Sequence, residues 1–366
     1  MAEKMTASAG SEPPDLMKLK TIAYIEIDTH AEIAQNFMEV MQGSGKFTVD
    51  YYFSEKIRNQ IVAGQENVFL SDSSMIVDQL KDKKYDLILI GTVHRYFNTF
   101  YAIADKYNTG IIVHNLNFSN ISRSVLIKNI FKEDIIYRLK LWWKEGLFYA
   151  AKVYQKAGNL LVLDERMSSE KYRFLPLFYT RDFQDPGHEG FTVVIPGGVS
   201  QKRRDYRHVF KTIRGMETSE NCTFVFLGNA KGDELKQLEE ISANLPENIR
   251  IKYFRERVSS VEFDYWMRTA DVLWCPIRPE TEFFSQKEIY GVTKITGNLG
   301  DAIKYGKIAV FPESYPSHSD FIIPEKADVI EQLKDLKSRK FDFHKNYNRE
   351  KVRKNLERVL DSMIPI

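Results

Sequence analysis

Four short stretches carry the residue types that do chemistry. In VVIPGGVSQKRRDY, residues 193–206, an apolar run ends in Pro196-Gly197-Gly198, and Lys202, Arg203 and Arg204 follow at the start of a helical pattern. Glycine lets a backbone come close to a ligand, and guanidinium groups bind phosphate oxygens two at a time. The stretch reads either as a phosphate site or as a solvated basic cap. The second, EIYGVTKITGNLGDAIKYGK, runs from Glu288 to Lys307 and reads as a helix closed by Gly306. Gly297 and Gly300 stand inside it, and each costs about 1 kcal/mol relative to alanine. A helix N-terminus offers free N–H groups and a positive dipole end. Lys294 would add a full charge, and the two glycines would leave a bare surface for a ligand or another backbone. Asp301, seven residues after Lys294 and on the same expected helix face, could accept ribose hydroxyls. The plainer alternative is a surface aspartate on a helix that keeps glycine for packing.

The third stretch, YFRERV (253–258), places Arg255 in a loop after an apolar run. It reads as a loop that clasps a nucleotide base, or as an ordinary charged loop. The fourth, GTVHRYFNTF (91–100), puts His94 and Arg95 just beyond a buried strand, where loop histidines often serve sites but as often serve structure.

The frame that positions them is legible as alternation. TIAYIEID (21–28), FTVDYYF (47–53), YDLILIG (85–91) and GIIVHNLNF (110–118) read as strands, with helical spacing over 31–41 and 73–82 between them. That order implies βαβ units and a parallel sheet. Residues 136–157 read as one long helix mixing Arg138, Lys140 and Lys144 with Trp142 and Trp143. Such a helix packs on the sheet or touches a membrane face. Strands at 159–166 and 173–179 precede a polar Pro-Gly stretch, 180–190, which reads as a linker. The alternation then restarts, with strands at 222–230, 248–254, 271–277 and 307–313, helices at 232–243 and 260–269, and a charged amphipathic helix over 346–366. The expected class is α/β: two Rossmann-like domains facing across a cleft. A disordered tail spans 1–18, the domains 19–185 and 186–345, and the last helix, 346–366, crosses back to the first. Ligands in such sheets sit at the carboxyl ends of the strands.

Bulk properties narrow the function classes. A chain of 366 residues exceeds what one core usually serves, and 43% hydrophobic with 28% charged residues is ordinary for a globular protein. A net charge of +2 gives no basis for nucleic-acid binding. Cys222 and Cys275 both lie in apolar runs, as buried thiols of a reducing compartment do. The first residues lack the apolar centre of a signal peptide, and no run reaches the roughly 18 apolar residues of a spanning helix. The expected location is cytoplasmic, at most at the inner face of a membrane. GxGxxG after the first strand, GxxxxGK[ST] and GxSxG are absent, as are a strand-end DxD and zinc-spaced His/Cys pairs. Neither a metal nor a cofactor is expected.

Taken together, these features resemble the GT-B glycosyltransferases, most closely the retaining family-four (glycosyl transferases group 1) type. TADVLWCPIRPE is similar to that family's strand before the donor site, and DAIKYGKIAVFPE to its EAMACGxPVV segment. Asp301 then matches the second glutamate of the family's E-x7-E, which holds the donor ribose. The first would fall at Thr293, so that half is missing, and YGVTKITG instead resembles a bacterial branch with a YGxTKxSG signature. The resemblance implies a transferase that takes a sugar from a nucleotide-diphosphate donor to a glycan or lipid-linked acceptor. Gly197 and Gly198 replace the family's GR step, so Arg203 or Arg204 would take its arginine's role, with Lys202 adjacent. Lys294 would contact the diphosphate or sugar, and His94 the sugar or acceptor. An epimerase of the same fold and a non-catalytic nucleotide-sugar-binding subunit are the rival expectations.

Overall fold

The computed structural model describes residues 19–62, 67–184, 186–187, 189–317 and 319–365. The expected tail, 1–18, lies outside the described residues, as does the expected domain boundary at residue 185. Among the described residues, seven parallel strands form the first sheet in the order β3-β2-β1-β4-β5-β6-β7. They are β1 (Lys20–Glu26), β2 (Phe47–Phe53), β3 (Val68–Leu70), β4 (Leu87–Ile90), β5 (Thr109–Ile112), β6 (Asn159–Val162) and β7 (Tyr172–Phe174). A second parallel sheet has the order β10-β9-β8-β11-β14-β15. Its strands are β8 (Phe191–Pro196), β9 (Cys222–Asn229), β10 (Ile249–Phe254) and β11 (Val272–Trp274), then, beyond the hairpin β12 (Glu280–Phe283) and β13 (Gln286–Ile289), β14 (Ala309–Phe311) and β15 (Ile322–Pro324).

The apolar runs explain the layering. A parallel strand is covered on both faces, so β4 and β8 are buried at every residue. Successive side chains feed opposite layers. Tyr24 and Leu89 join one core cluster while Ala23 and Ile88 join the other. Val193 and Val194 divide in the same way in the second sheet. In both sheets the strand order reverses beside the first strand, between β1 and β4 and between β8 and β11. Such switch points open the crevices in which open α/β sheets bind ligands. The final helix, Arg349–Asp361, inserts Val352, Leu356 and Leu360 into the core cluster of the first sheet, with Tyr24 and Phe37.

Several expected boundaries move. Strand β5 stops at Ile112, and the rest of GIIVHNLNF turns through His114 and Asn115 into a single helical turn, Leu116–Ser119. The segment 136–157 is not one helix. Gly146, at φ 69, ends Ile135–Glu145, a 3-10 turn follows, and Ala150–Lys156 buries Ala150, Val153 and Tyr154. The expected strand 173–179 shortens to β7. Beyond it Phe178 packs against core clusters of both sheets. Strands β3 and β15, each only three residues long, and the hairpin escaped the sequence reading; ETEF and QKEI of the hairpin contain no apolar run.

Candidate functional site

The basic segment after β8 is a turn, not the helix start expected for it. The helix begins at Tyr206, where Asp205 caps it by accepting from the His208 N–H at 3.3 Å. Lys202 and Arg203 are exposed, whereas Arg204 folds inward. Gly197 adopts φ +107, and a Cβ there would overlap the Arg204 guanidinium, so glycine is required on both counts. Gly198 faces open space. Arg204 donates from Nη2 to Asn298 Oδ1 at 3.1 Å. Asn298 in turn donates to the Pro196 carbonyl at 3.1 Å. The buried Asn298 side chain therefore fastens the basic turn to the N-terminus of the helix Gly297–Tyr305.

That helix is shorter than the sequence suggested. Thr296 caps it, so Lys294 stands in the preceding turn and does not share a helix face with Asp301. Gly297 faces open space. A Cβ at Gly300 would lie 2.7 Å from Phe178 Cε1, so a packed neighbour explains this glycine. Burial pushes the Asp301 carboxyl up to about 6, and Glu32 on the first lobe adds to the rise. Burial likewise lowers Lys294 to about 8, with Glu288 opposing and the Arg203 charge adding to the fall.

The first lobe meets these groups at its own switch point. Lys294 Nζ donates to Asn115 Oδ1, and the Asn115 amide reaches His94 Nε2 at 3.0 Å. His94 therefore accepts at Nε2, and burial together with the His30 and Lys294 charges holds its pKa well below the usual range. His30, left-handed at the N-terminus of the helix Ala31–Met41, stacks on His114 at 4.0 Å and lies edge-on to His94 at 5.6 Å. Arg95, expected beside His94 just beyond the strand, turns away from it to pair with Glu145.

The hairpin ties the lobes together. Phe283 lies 4.5 Å from the His94 ring and 4.8 Å from Phe118. Phe284 and Ser285 form a tip with positive φ at both residues. Glu288 is fully buried and accepts from the N–H groups of Phe118, at 2.9 Å, and Asn117, at 3.3 Å. Thr293, an expected donor contact, is used within the frame. Its Oγ1 accepts from the Ile289 N–H at 2.8 Å, and its carbonyl accepts from Leu116 at 2.9 Å.

Gly197, Arg203, Arg204, Lys294, Asp301 and His94 therefore converge. Arg255 does not join them: its side chain pairs with Glu239 at 2.8 Å, although its carbonyl is held by Asn229 at 2.7 Å. Sequence reasoning missed Asn115, Glu288 and Asn298. Asn115 stands three residues past the end of β5, a signal hidden when 110–118 is read as continuous strand.

No protein-family model matches the sequence, and no curated protein matches it. Solved structures do match. The chain is similar to HepE of Anabaena, solved in complex with UDP, at TM-score 0.58 and 10% identity over 94% of this chain and 100% of that one. It is similar to the lipopolysaccharide outer core galactosyltransferase WaaB at TM-score 0.53 and 10% identity, over 93% of this chain and 99% of that one. A protein described as a UDP-N-acetylglucosamine 2-epimerase, from Listeria monocytogenes, matches at TM-score 0.50 and 10% identity, over 94% and 96%. Two Rossmann-like lobes meeting at their switch points, together with the folds they match, show that this chain has the GT-B fold.

Proposed function

We propose that the protein is a glycosyltransferase that moves a sugar from a nucleotide-diphosphate donor to a glycan or lipid-linked acceptor. In this reading it is a retaining enzyme of the family-four type and its YGxTKxSG branch, acting at the cytoplasmic side in bacterial surface polysaccharide or glycoconjugate synthesis. The observation that carries it is the convergence of Arg204, Arg203 and Lys294 on one end of the second sheet, opposite His94 and Asn115 of the first.

The chemistry follows from charge. As the bond between the anomeric carbon and the diphosphate oxygen breaks, negative charge collects on the leaving group and positive charge on the sugar ring. Fixed cations and a helix N-terminus in a water-poor cleft stabilise the leaving diphosphate. Arg204, Arg203, Lys294 and the N-terminus of Gly297–Tyr305 take that part here, in place of a metal ion. Gly197 lets Arg204 fold against the turn, Gly198 gives the phosphates room, Lys202 adds to the field, and Asp301 receives the ribose. Gly297 leaves the helix surface bare for the donor. The loop around Arg255 borders the base, and neutral His94, its Nε2 taken by Asn115, donates from Nδ1–H to a hydroxyl oxygen of the sugar or acceptor.

A thermal-shift screen of UDP-, GDP- and CMP-sugars tests the reading, since a ligand that binds only the folded state raises its melting point. One donor class should shift the protein, Lys294→Ala and Arg204→Ala should lose most of that shift, and free nucleotide should be released only with an acceptor present. No shift with any donor, or unchanged turnover in both variants, would sink it. An altered sugar formed without acceptor would instead identify an epimerase.

A further inference from the structure

The helix Ile135–Glu145 is inverted in polarity. Its buried stripe is Arg138, Leu141 and Glu145, spaced three and four residues apart. Two of these are charged, and both are satisfied within the fold. Glu145 receives Arg95 and the Tyr96 N–H. Arg138 donates to the Asn129 carbonyl and, at 2.9 Å, to Ser285 Oγ at the hairpin tip, with its guanidinium over the Phe284 ring. At about 100° per residue, the pole opposite that stripe holds Ile136, Lys140 and Trp143. Ile136 is 87% exposed and Trp143 85%. A surface helix normally does the reverse, with apolar residues inward and charge outward.

The preceding helix, Arg123–Ile130, packs against this one, and it and its turn expose further apolar side chains: Ile127 is 46% exposed and Phe131 61%. Lys128, Lys132, Lys140 and Lys144, all exposed, are interleaved with these side chains, against the exposed carboxylates Glu133 and Asp134. Contiguous exposed apolar surface marks an interaction site. Lysine is depleted from protein–protein interfaces. Lysine around tryptophan and isoleucine is instead the composition of a helix lying in a bilayer interface, with the ammonium groups reaching anionic headgroups.

We propose that the face formed by Ile127, Phe131, Ile136 and Trp143 docks on an anionic lipid bilayer, with Lys128, Lys132, Lys140 and Lys144 at headgroup level. The surface is not the long helix 136–157 of the sequence reading. Ala150, Val153 and Tyr154 of the following helix pack inward, and of the tryptophan pair Trp142 turns to Phe148 at 5.0 Å while Trp143 faces out. The inner side of the same helix holds the hairpin tip through Arg138. A docked bilayer would thus lie about one helix diameter, roughly 10 Å, from the element that carries Phe283 to His94. The docking surface does not rest on the sugar-transfer reading and is measured without any donor.

The test is co-sedimentation of the full chain with vesicles of phosphatidylglycerol and phosphatidylcholine in equal parts, against vesicles of phosphatidylcholine alone. The chain should pellet with the anionic vesicles, and the double variant I136E/W143E should bind at least about tenfold more weakly. K140E/K144E should lose binding most at low salt. Val261→Glu, which changes an exposed apolar residue of the other lobe, should bind as the parent does. Unchanged melting of I136E/W143E separates lost docking from lost folding. Absence of pelleting with anionic vesicles, or equal pelleting of I136E/W143E, overturns the proposal. So does a concentration-dependent dimer of the parent that I136E/W143E abolishes, which would make the face a contact between copies.

Discussion

Lys294 holds a charge where the fold disfavours one. Its ordinary pKa of 10.5 falls to about 8, chiefly through burial. The sign of the linkage follows. The folded state releases this proton more readily than the unfolded chain, so the charge costs stability in full below pH 8, and the cost fades as pH rises toward the ordinary value. A shift of that size corresponds to about 3 kcal/mol, so a neutral Lys294→Met chain should melt higher at pH 7. The same substitution should lower kcat/KM by about a hundredfold or more if the ammonium meets the leaving diphosphate. In the parent, kcat/KM should fall as pH rises through about 8, since that parameter follows the free enzyme's ionisations. Lys294→Arg should carry the alkaline limb to higher pH. pH–rate profiles and thermal melts check all four. A flat parent profile across this range would remove Lys294 from the chemistry.

Among the elements, the hairpin β12–β13 does most to bring the two halves of the site together. Its strands are too polar to hold a sheet edge alone. What orders it is docking: the Phe283 ring against Phe118, and Glu288 beneath the N–H groups of Asn117 and Phe118. Glu288→Gln keeps the shape but replaces an acceptor oxygen with an NH2 group facing donors, a change expected to cost about 1–3 kcal/mol. Amide exchange at Asn117 and Phe118 should accelerate, and kcat should fall more than donor affinity, because Lys294 and Asn115 lose their register. Exchange rates equal to the parent's would show that Glu288 does not hold the turn. The hairpin also marks what was legible in the sequence. Ala31–Met41, Gly232–Asn244 and Ser260–Thr269 were readable from local periodicity, because each buries one face against its own sheet. Arg204 and Lys294 stood out by type and place. Their partners did not: Asn298 lies 94 positions from Arg204, and Asn115 lies 179 from Lys294. Those pairings exist only once both sheets are built. Gly300 is similar, since it answers to Phe178 and not to its own helix.

For the whole molecule, the two lobes have separate sheets and separate cores but share a seam. Thr180 donates from its backbone N–H to the Tyr347 carbonyl at 2.8 Å and from its hydroxyl to the Ile303 carbonyl at 2.8 Å, so the segment leaving the first lobe, the helix Gly297–Tyr305 and the turn before the final helix are tied at one point. The final helix then returns to the first lobe, where Leu356 and Leu360 are completely buried. Leu356→Ala should cost about 2–4 kcal/mol, the usual range for a large-to-small change in a core. That loss belongs to the first lobe, although the residue comes from the far end of the chain. The donor, by contrast, is proposed to make most of its contacts with the second lobe. Calorimetry should therefore resolve two transitions. Leu356→Ala should lower one of them, and the bound donor should raise the other. If a single transition moves as a block under both changes, the seam and the hairpin have joined the lobes into one cooperative unit, and domain opening would require breaking the Glu288 and Phe283 contacts before anything else.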